Sequence, residues 1–233
     1  MQIKDSVAFI TGANRGFGLA LVQELLARGA KKIYAGVRDP ASISLPGVVA
    51  VKLDVTNPDE VAAAAARCGD VTLLINNAGI ARFVDYRDPD AIDTARAMMD
   101  ANFLGPIRMS QAFTAILAGN GGGAIVNVLS VASWVNAGDL SLYAASKSAA
   151  WGFTNGLRTA LREQGTQVLG LHVGFMDTDM TNGIELPKVS PAEVARLTLD
   201  GVETGLEEVL ADDISRTVKA GLTSGIYLAP LQR

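Results

Sequence analysis

Tyr143 and Lys147 stand four residues apart in a stretch, Ser141 to Phe153, that is rich in alanine and serine. On a helix that spacing makes the two side chains neighbours. A phenol has a reference pKa of about 10, which is high for moving protons near neutrality. A nearby ammonium favours the phenolate and lowers that value. The pair is therefore expected to act as a proton donor beside its tuning charge. The plain alternative is a helix carrying an exposed lysine and a half-buried tyrosine. Two serines precede the pair, Ser130 by 13 residues and Ser133 by 10.

A second group of residues fits phosphate binding. Thr11-Gly-Ala-Asn-Arg-Gly-Phe-Gly18 has the spacing G-x-x-x-G-x-G and follows the apolar run Val7–Ile10. Glycines let backbone approach a phosphate closely, and a helix starting there offers free N–H groups and a positive dipole end. About 20 residues past such glycines an acid is usual where the ribose carries a free 2′-hydroxyl. Val37 stands there instead, followed by Arg38, and Arg15 lies in the glycine loop. Two guanidiniums suit a 2′-phosphate through charge-assisted bonds, so NADP(H) is expected over NAD(H). Solvated arginines, or arginines paired with Asp39, are the alternative.

The elements that must position these groups alternate along the chain. Apolar runs at 7–10, 33–37, 48–53, 71–75, 124–129 and 168–173 read as buried strands. Helical patterns cover about 17–28, 58–67, 90–118 and 142–163, and another starts at Ser190-Pro191. Asn57 before Pro58 has the composition of a helix cap. Position 209 to about Leu222 also reads as helical. Continuously apolar strands alternating with helices imply a parallel sheet covered on both faces. With no linker or repeat, the fold class is α/β, a doubly wound, Rossmann-like parallel sheet forming one domain over residues 1–233. Ligands in such folds bind outside the carboxyl ends of the strands.

Composition narrows the function. Hydrophobic residues make up 49% and charged ones 19%, enough for a large core and against general disorder. The net charge of −4 and the scattered basic residues argue against a nucleic-acid partner. One cysteine and one histidine, Cys68 and His172, leave no internal disulfide and disfavour a metal site or a histidine triad. The apolar run near the N-terminus is too short for a membrane span or a signal-peptide core. A cytoplasmic protein is expected.

Together these pieces resemble the short-chain dehydrogenase/reductase family. The matching residues are Thr11 to Gly18, Asp54 at the third strand end, Asn76-Asn-Ala-Gly79 after the fourth, Asn102, Ser130, Tyr143 and Lys147. The resemblance spans most of the chain, and NADP-dependent carbonyl reductases are its nearest kind. It implies a catalytic set of Asn102, Ser130, Tyr143 and Lys147. Tyr143 would give the proton, Ser130 would hold the substrate oxygen, and Lys147 would hold the nicotinamide ribose. Asn102 would keep a water that connects Lys147 to solvent. The cofactor would lie on Gly12, Asn14, Arg15, Gly16, Phe17 and Gly18, then Arg38, Asp54 and Val55. Asn77, Ala78, Gly79, Tyr143, Lys147, Gly174, Phe175 and Thr178 would complete its site.

The match departs after the sixth strand. Val173-Gly174 stands where the family usually has Pro-Gly, while Thr178 keeps its place. Valine leaves φ freer, so either the cofactor is held less firmly or a neighbour compensates. His172 just before it is read as structural. Thr181 to Lys188 is a short covering segment, which suggests an open site. Phe83, Trp134, Phe175 and Met180 are candidates for an apolar wall, which favours a small hydrophobic ketone or aldehyde as substrate. The family's glycine-rich C-terminal tail is missing, which puts a homotetramer in doubt and leaves a homodimer through the two long helices open. The leading expectation is an NADPH-dependent carbonyl reductase, reversible as an alcohol dehydrogenase. A non-catalytic NADP-sensing regulatory protein is the alternative from another class. A nucleotide-sugar epimerase or dehydratase is disfavoured, since the chain leaves little room for a sugar-binding region.

Overall fold

In a computed structural model, residues 1–136 and 138–228 are described. Residues 229–233, part of the C-terminal tail that lacks the family's glycine-rich pattern, lie outside them. Seven parallel strands form one sheet in the order β3-β2-β1-β4-β5-β6-β7. They are β1 (Val7–Thr11), β2 (Lys32–Val37), β3 (Val48–Lys52), β4 (Leu73–Asn76), β5 (Ala124–Val128), β6 (Gln167–His172) and β7 (Glu208–Leu210). The chain reverses its direction of travel across the sheet between β1 and β4, so a crevice opens there at the carboxyl edge.

The apolar runs arise because both faces are covered. Along β1, Ala8 and Ile10 pack into one core and Val7 and Phe9 into the other. The first core is closed by α1 (Gly16–Ala27) and α6 (Pro191–Glu203), through Leu21, Val22 and Leu25 and through Val194, Leu199 and Val202. The second is closed by α2 (Pro58–Arg67) and α4 (Gly105–Gly119), through Val61, Met109, Phe113 and Leu117. α5 (Ser141–Ala160) lies on that same side, packed on β6 and α3 (Ala91–Met99).

The Asn57 cap forms as its residue type predicts: Oδ1 accepts from Asp59 N at 3.0 Å and Glu60 N at 3.3 Å. Before α6 only the proline part of the signature holds, since the Ser190 side chain makes no cap bond. Two expectations need correction. The stretch after 208 is not helical throughout: it begins with β7, and α7 (Asp213–Gly221) follows. A three-residue edge strand is too short to show a period against its flanks. The helix over 90–118 is also not uniform. α3 and α4 are joined by a π-helical turn, Asp100–Leu104, where Gly105 N–H bonds back to Asp100 O. Pro106 has no N–H for the carbonyl four residues earlier, that of Asn102, so the α-helical ladder breaks and the turn widens. Among the described residues, no helix is long and apolar enough to cross a membrane.

Candidate active site

The loop after β1 and the loop after β4 are stitched into one unit. Thr11 Oγ1 accepts from Asn77 N at 3.0 Å and Ala78 N at 2.9 Å. Asn77 Nδ2 donates back to Thr11 O at 2.9 Å and Gly12 O at 3.1 Å. Gly18 sits so close beneath this loop that a Cβ there would overlap the Gly12 carbonyl and stand 2.7 Å from Asn77 Nδ2. The residue type is thus required by backbone packing. Phe17 and Val55 are buried in opposite cores, so each can offer the crevice only its backbone.

The first turn of α1 carries no side-chain cap. Its leading N–H groups are therefore unsatisfied by the cap residue, Arg15, and a helix end of this kind takes an anion. Thr11 pairs with Gly36, which brings Arg15 and Arg38 to the same edge. Asn14 Nδ2 bonds Ser42 Oγ at 3.1 Å and ties the two loops together. Both arginines are exposed, and among the described residues no ion pair holds either. Asp39 is not their partner; its carboxylate accepts from Ala41 N at 3.0 Å. Asp54 closes this end. Burial would raise its carboxyl, but two bonds from Thr56 and the charge of Arg38 outweigh that and hold it below the usual range. The crevice thus combines a free helix end, close-packed glycine backbone and two exposed cations, a donor set that fits the phosphates of a dinucleotide.

At the other end of the crevice, Asn102, Ser130, Tyr143 and Lys147 come from four places in the chain. Asn102, nearly fully buried in the π turn, bonds Ile80 through both halves of its amide and donates to Ser146 Oγ at 2.9 Å. It does not bond its own helix. Gly79 lies against it: a Cβ there would stand 2.9 Å from Asn102 Oδ1 and 3.8 Å from Lys147 Nζ. Lys147, on the second turn of α5, donates to Val128 O at 2.8 Å, and Nζ lies 5.8 Å from the Tyr143 ring centre. Ser146 Oγ donates to Tyr143 O at 2.7 Å. Thr11, Ser146 and the Val128 carbonyl were not singled out from the sequence. Thr11 stood inside the quoted motif, whereas Ser146 has no signal beyond its place beside Lys147.

The electrostatics differ from the sequence expectation. Burial pushes the Tyr143 phenol up to about 12, and its hydrogen bond with Ser130 opposes that only in part. The ring is half-buried, so water reaching the cleft screens some of this shift. Burial also pushes the Lys147 ammonium down to about 8. Desolvation is the dominant cause at both groups, so burial and not the Tyr–Lys pairing sets the direction of each shift. The phenol's partner is Ser130. The Ser133 hydroxyl is buried with no hydrogen-bond partner among the described residues, and the Ser133 carbonyl accepts from Ser148 Oγ at 2.8 Å.

Behind Ser130 sits His172, fully buried on β6. Its Nδ1 lies 3.1 Å from Ser130 O, and its ring stacks on Trp134 at 3.8 Å. A carbonyl only accepts, so Nδ1 carries the proton. Trp134 also meets Trp151 edge-on at 6.3 Å and Lys219 at 4.9 Å, so much of its surface is taken up by packing. Phe83 and Met180, by contrast, are 49% and 52% exposed. Gly174, Phe175 and Thr178 follow β6 directly. The segment they begin is closed by bonds between Val189 and both Phe175 and Asp177, and Lys188 Nζ donates to Thr181 O at 2.8 Å.

Comparison with known proteins agrees with this architecture. A family model described as short chain dehydrogenase matches residues 6–188. A short chain dehydrogenase from Burkholderia cenocepacia J2315, solved in complex with NADP, is 40% identical. The match covers 97% of this chain and 95% of that one, with a TM-score of 0.91. NADPH-bound carbonyl reductase from chicken fatty liver is 30% identical over 89% of this chain and 94% of its own, with a TM-score of 0.78. An uncharacterized oxidoreductase of Staphylococcus aureus strain USA300 is 29% identical over 213 residues, 84% of this chain and 90% of that protein. The 3-oxoacyl-(acyl-carrier-protein) reductase of Escherichia coli K12 is 29% identical over 196 residues, 79% of each chain. The chain belongs to the short-chain dehydrogenase family of oxidoreductases.

Proposed function

We propose that the protein reduces a ketone or aldehyde to an alcohol with NADPH, and catalyses the reverse oxidation. The observation that carries this reading is the convergence of Ser130, Tyr143, Lys147 and Asn102 at one end of a crevice whose other end fits a dinucleotide. When bound, NADPH supplies a hydride to the carbonyl carbon. The protein's own residues handle the oxygen, where negative charge grows in the transition state. Ser130 donates to that oxygen and steadies it. Tyr143 delivers the proton. With its phenol held up to about 12, Tyr143 is protonated at neutral pH, the form that reduction needs. Lys147 remains charged below about 8, where it favours the phenolate that forms as the proton leaves and would bind the ribose hydroxyls. Asn102 holds Ile80 and Ser146, and so keeps the floor of the site and the Tyr143 turn in register.

Arg15 and Arg38 support NADP(H) over NAD(H), and NADP or NADPH is the cofactor named for the relatives from Burkholderia and chicken. The exposed apolar side chains of Phe83, Met180 and Leu186, the last within the short covering segment and 48% exposed, support a small hydrophobic carbonyl compound. A cytoplasmic location belongs to the same reading. The test is NADPH absorbance with a panel of aromatic and aliphatic ketones and aldehydes, for wild type beside Tyr143→Phe. Turnover in wild type and near-total loss in the variant are expected. Tight NADPH binding without turnover on any carbonyl would favour an NADP-sensing regulatory protein.

A further inference from the structure

The peptide between Val173 and Gly174 is gripped at both of its polar ends. Its carbonyl, that of Val173, accepts from Val131 N at 3.0 Å, and Ser130 Oγ lies 3.4 Å away. Its N–H, that of Gly174, donates to Asp212 Oδ2 at 2.6 Å. A peptide unit is planar, with its C=O and N–H pointing opposite ways. Holding both ends sets the rotation of that plane. The rotation decides where the chain goes next, into Phe175 to Thr178, and where the Val173 carbonyl meets the Ser130 turn.

Asp212 comes from outside the region that the family model matches, residues 6–188. It is brought here by β7, whose Leu210 pairs with His172, and by Ala211 N, which bonds His172 O at 2.9 Å. Its other oxygen, Oδ1, accepts from Ser215 N at 2.8 Å and caps α7. Capping needs one oxygen only. The second is spent on Gly174, and Asp212 is 7% exposed. The fit is close, since a Cβ on Gly174 would stand 3.0 Å from Asp212 Oδ2 and 2.7 Å from Ile214 Cγ2. In this chain valine replaces the proline that would restrict φ at position 173, and the carboxylate restrains the adjoining peptide instead.

We propose that Asp212 is a positioning residue for the nicotinamide end of the cofactor site: it orients the Val173–Gly174 peptide and thereby seats Phe175 to Thr178. This rests on the NADPH reading above. Asp212→Asn separates the two roles of the carboxylate. Its remaining oxygen still caps α7, while its amide turns N–H groups toward the Gly174 N–H. Asp212→Ser is a second variant, because serine caps a helix well but is too short to reach Gly174.

The measurement is binding of two probes by fluorescence titration, NADPH and adenosine 2′,5′-bisphosphate, which lacks the nicotinamide half. Loss of one charge-assisted bond predicts NADPH binding weaker by about tenfold or more in both variants. Binding of the bisphosphate should stay within about twofold of wild type. Equal weakening of both probes would reduce Asp212 to a general structural residue, and unchanged NADPH affinity would also overturn the proposal. Failure of the wild type itself to bind NADPH would instead sink the cofactor reading on which it rests.

Discussion

Asn102 holds both polar backbone atoms of Ile80: its Oδ1 accepts from Ile80 N and its Nδ2 donates to Ile80 O, each at 2.8 Å. One amide thus pins the strand-end segment after β4 to the π turn. Asn102→Asp keeps the size but places an acceptor against Ile80 O. Stability should fall by about 1–3 kcal/mol, the cost of a buried unsatisfied group, and turnover should fall with it. The denaturant midpoint at constant slope checks this; a midpoint equal to wild type would show that the clamp carries no energy.

Lys147 gives the cofactor site a pH limit. Its ammonium is held down to about 8 by burial, so the ligand-free protein loses this charge as pH rises through that value. Binding that requires the charged form is flat below about pH 8 and weakens by up to about tenfold per unit above it. Titration of NADPH affinity from pH 6 to 10 tests this. Lys147→Met should bind more weakly at neutral pH and show no break near 8. A break that persists in Lys147→Met belongs to another group.

Arg38 stands exposed beside Asp54 at the edge where the NADPH reading places the 2′-phosphate. Arg38→Asp replaces a donor with a like charge. The ratio of kcat/KM for NADPH to that for NADH should fall by at least about tenfold, the worth of a charge-assisted bond. If the ratio does not move, the arginine does not read the phosphate.

His172 predicts how the protein responds to acid. Its imidazole is held down to about 4 by burial, against an ordinary value of 6.5, despite Glu208 at 3.5 Å. Between those two values the unfolded chain binds a proton that the folded chain does not. Stability therefore rises with pH across this window and is lost as pH falls from about 6.5 to 4, by about 3 kcal/mol from this group. His172→Phe keeps a ring against Trp134 and removes the titration. The variant should be less stable at pH 7 but lose less stability than wild type on going to pH 4.5, as read by urea unfolding at both values.

Short-range chemistry in the chain determines a good deal of this molecule. The strands and helices that carry the site are legible because both sheet faces are buried, which forces continuous apolar runs, and because Asn57-Pro58 is a local cap. The glycine spacing after β1 and the interval between Tyr143 and Lys147 are likewise local, set by one turn and by one helical repeat. What the tertiary structure alone decides depends on residues far apart in the chain. Burial reverses the expected direction of the Tyr143 shift, because desolvation depends on everything packed around the phenol. The pairing of Asn102 with Ile80, and of Lys147 with the Val128 carbonyl, bridges separate elements. Asp212 is the clearest case: it falls inside a stretch that reads as helical in the sequence, and only β7, too short to read, makes it the cap of α7 and carries its second oxygen to the Gly174 amide. A side chain's local role follows from its neighbours in the chain, but its second partner follows from the sheet order, which no short segment encodes.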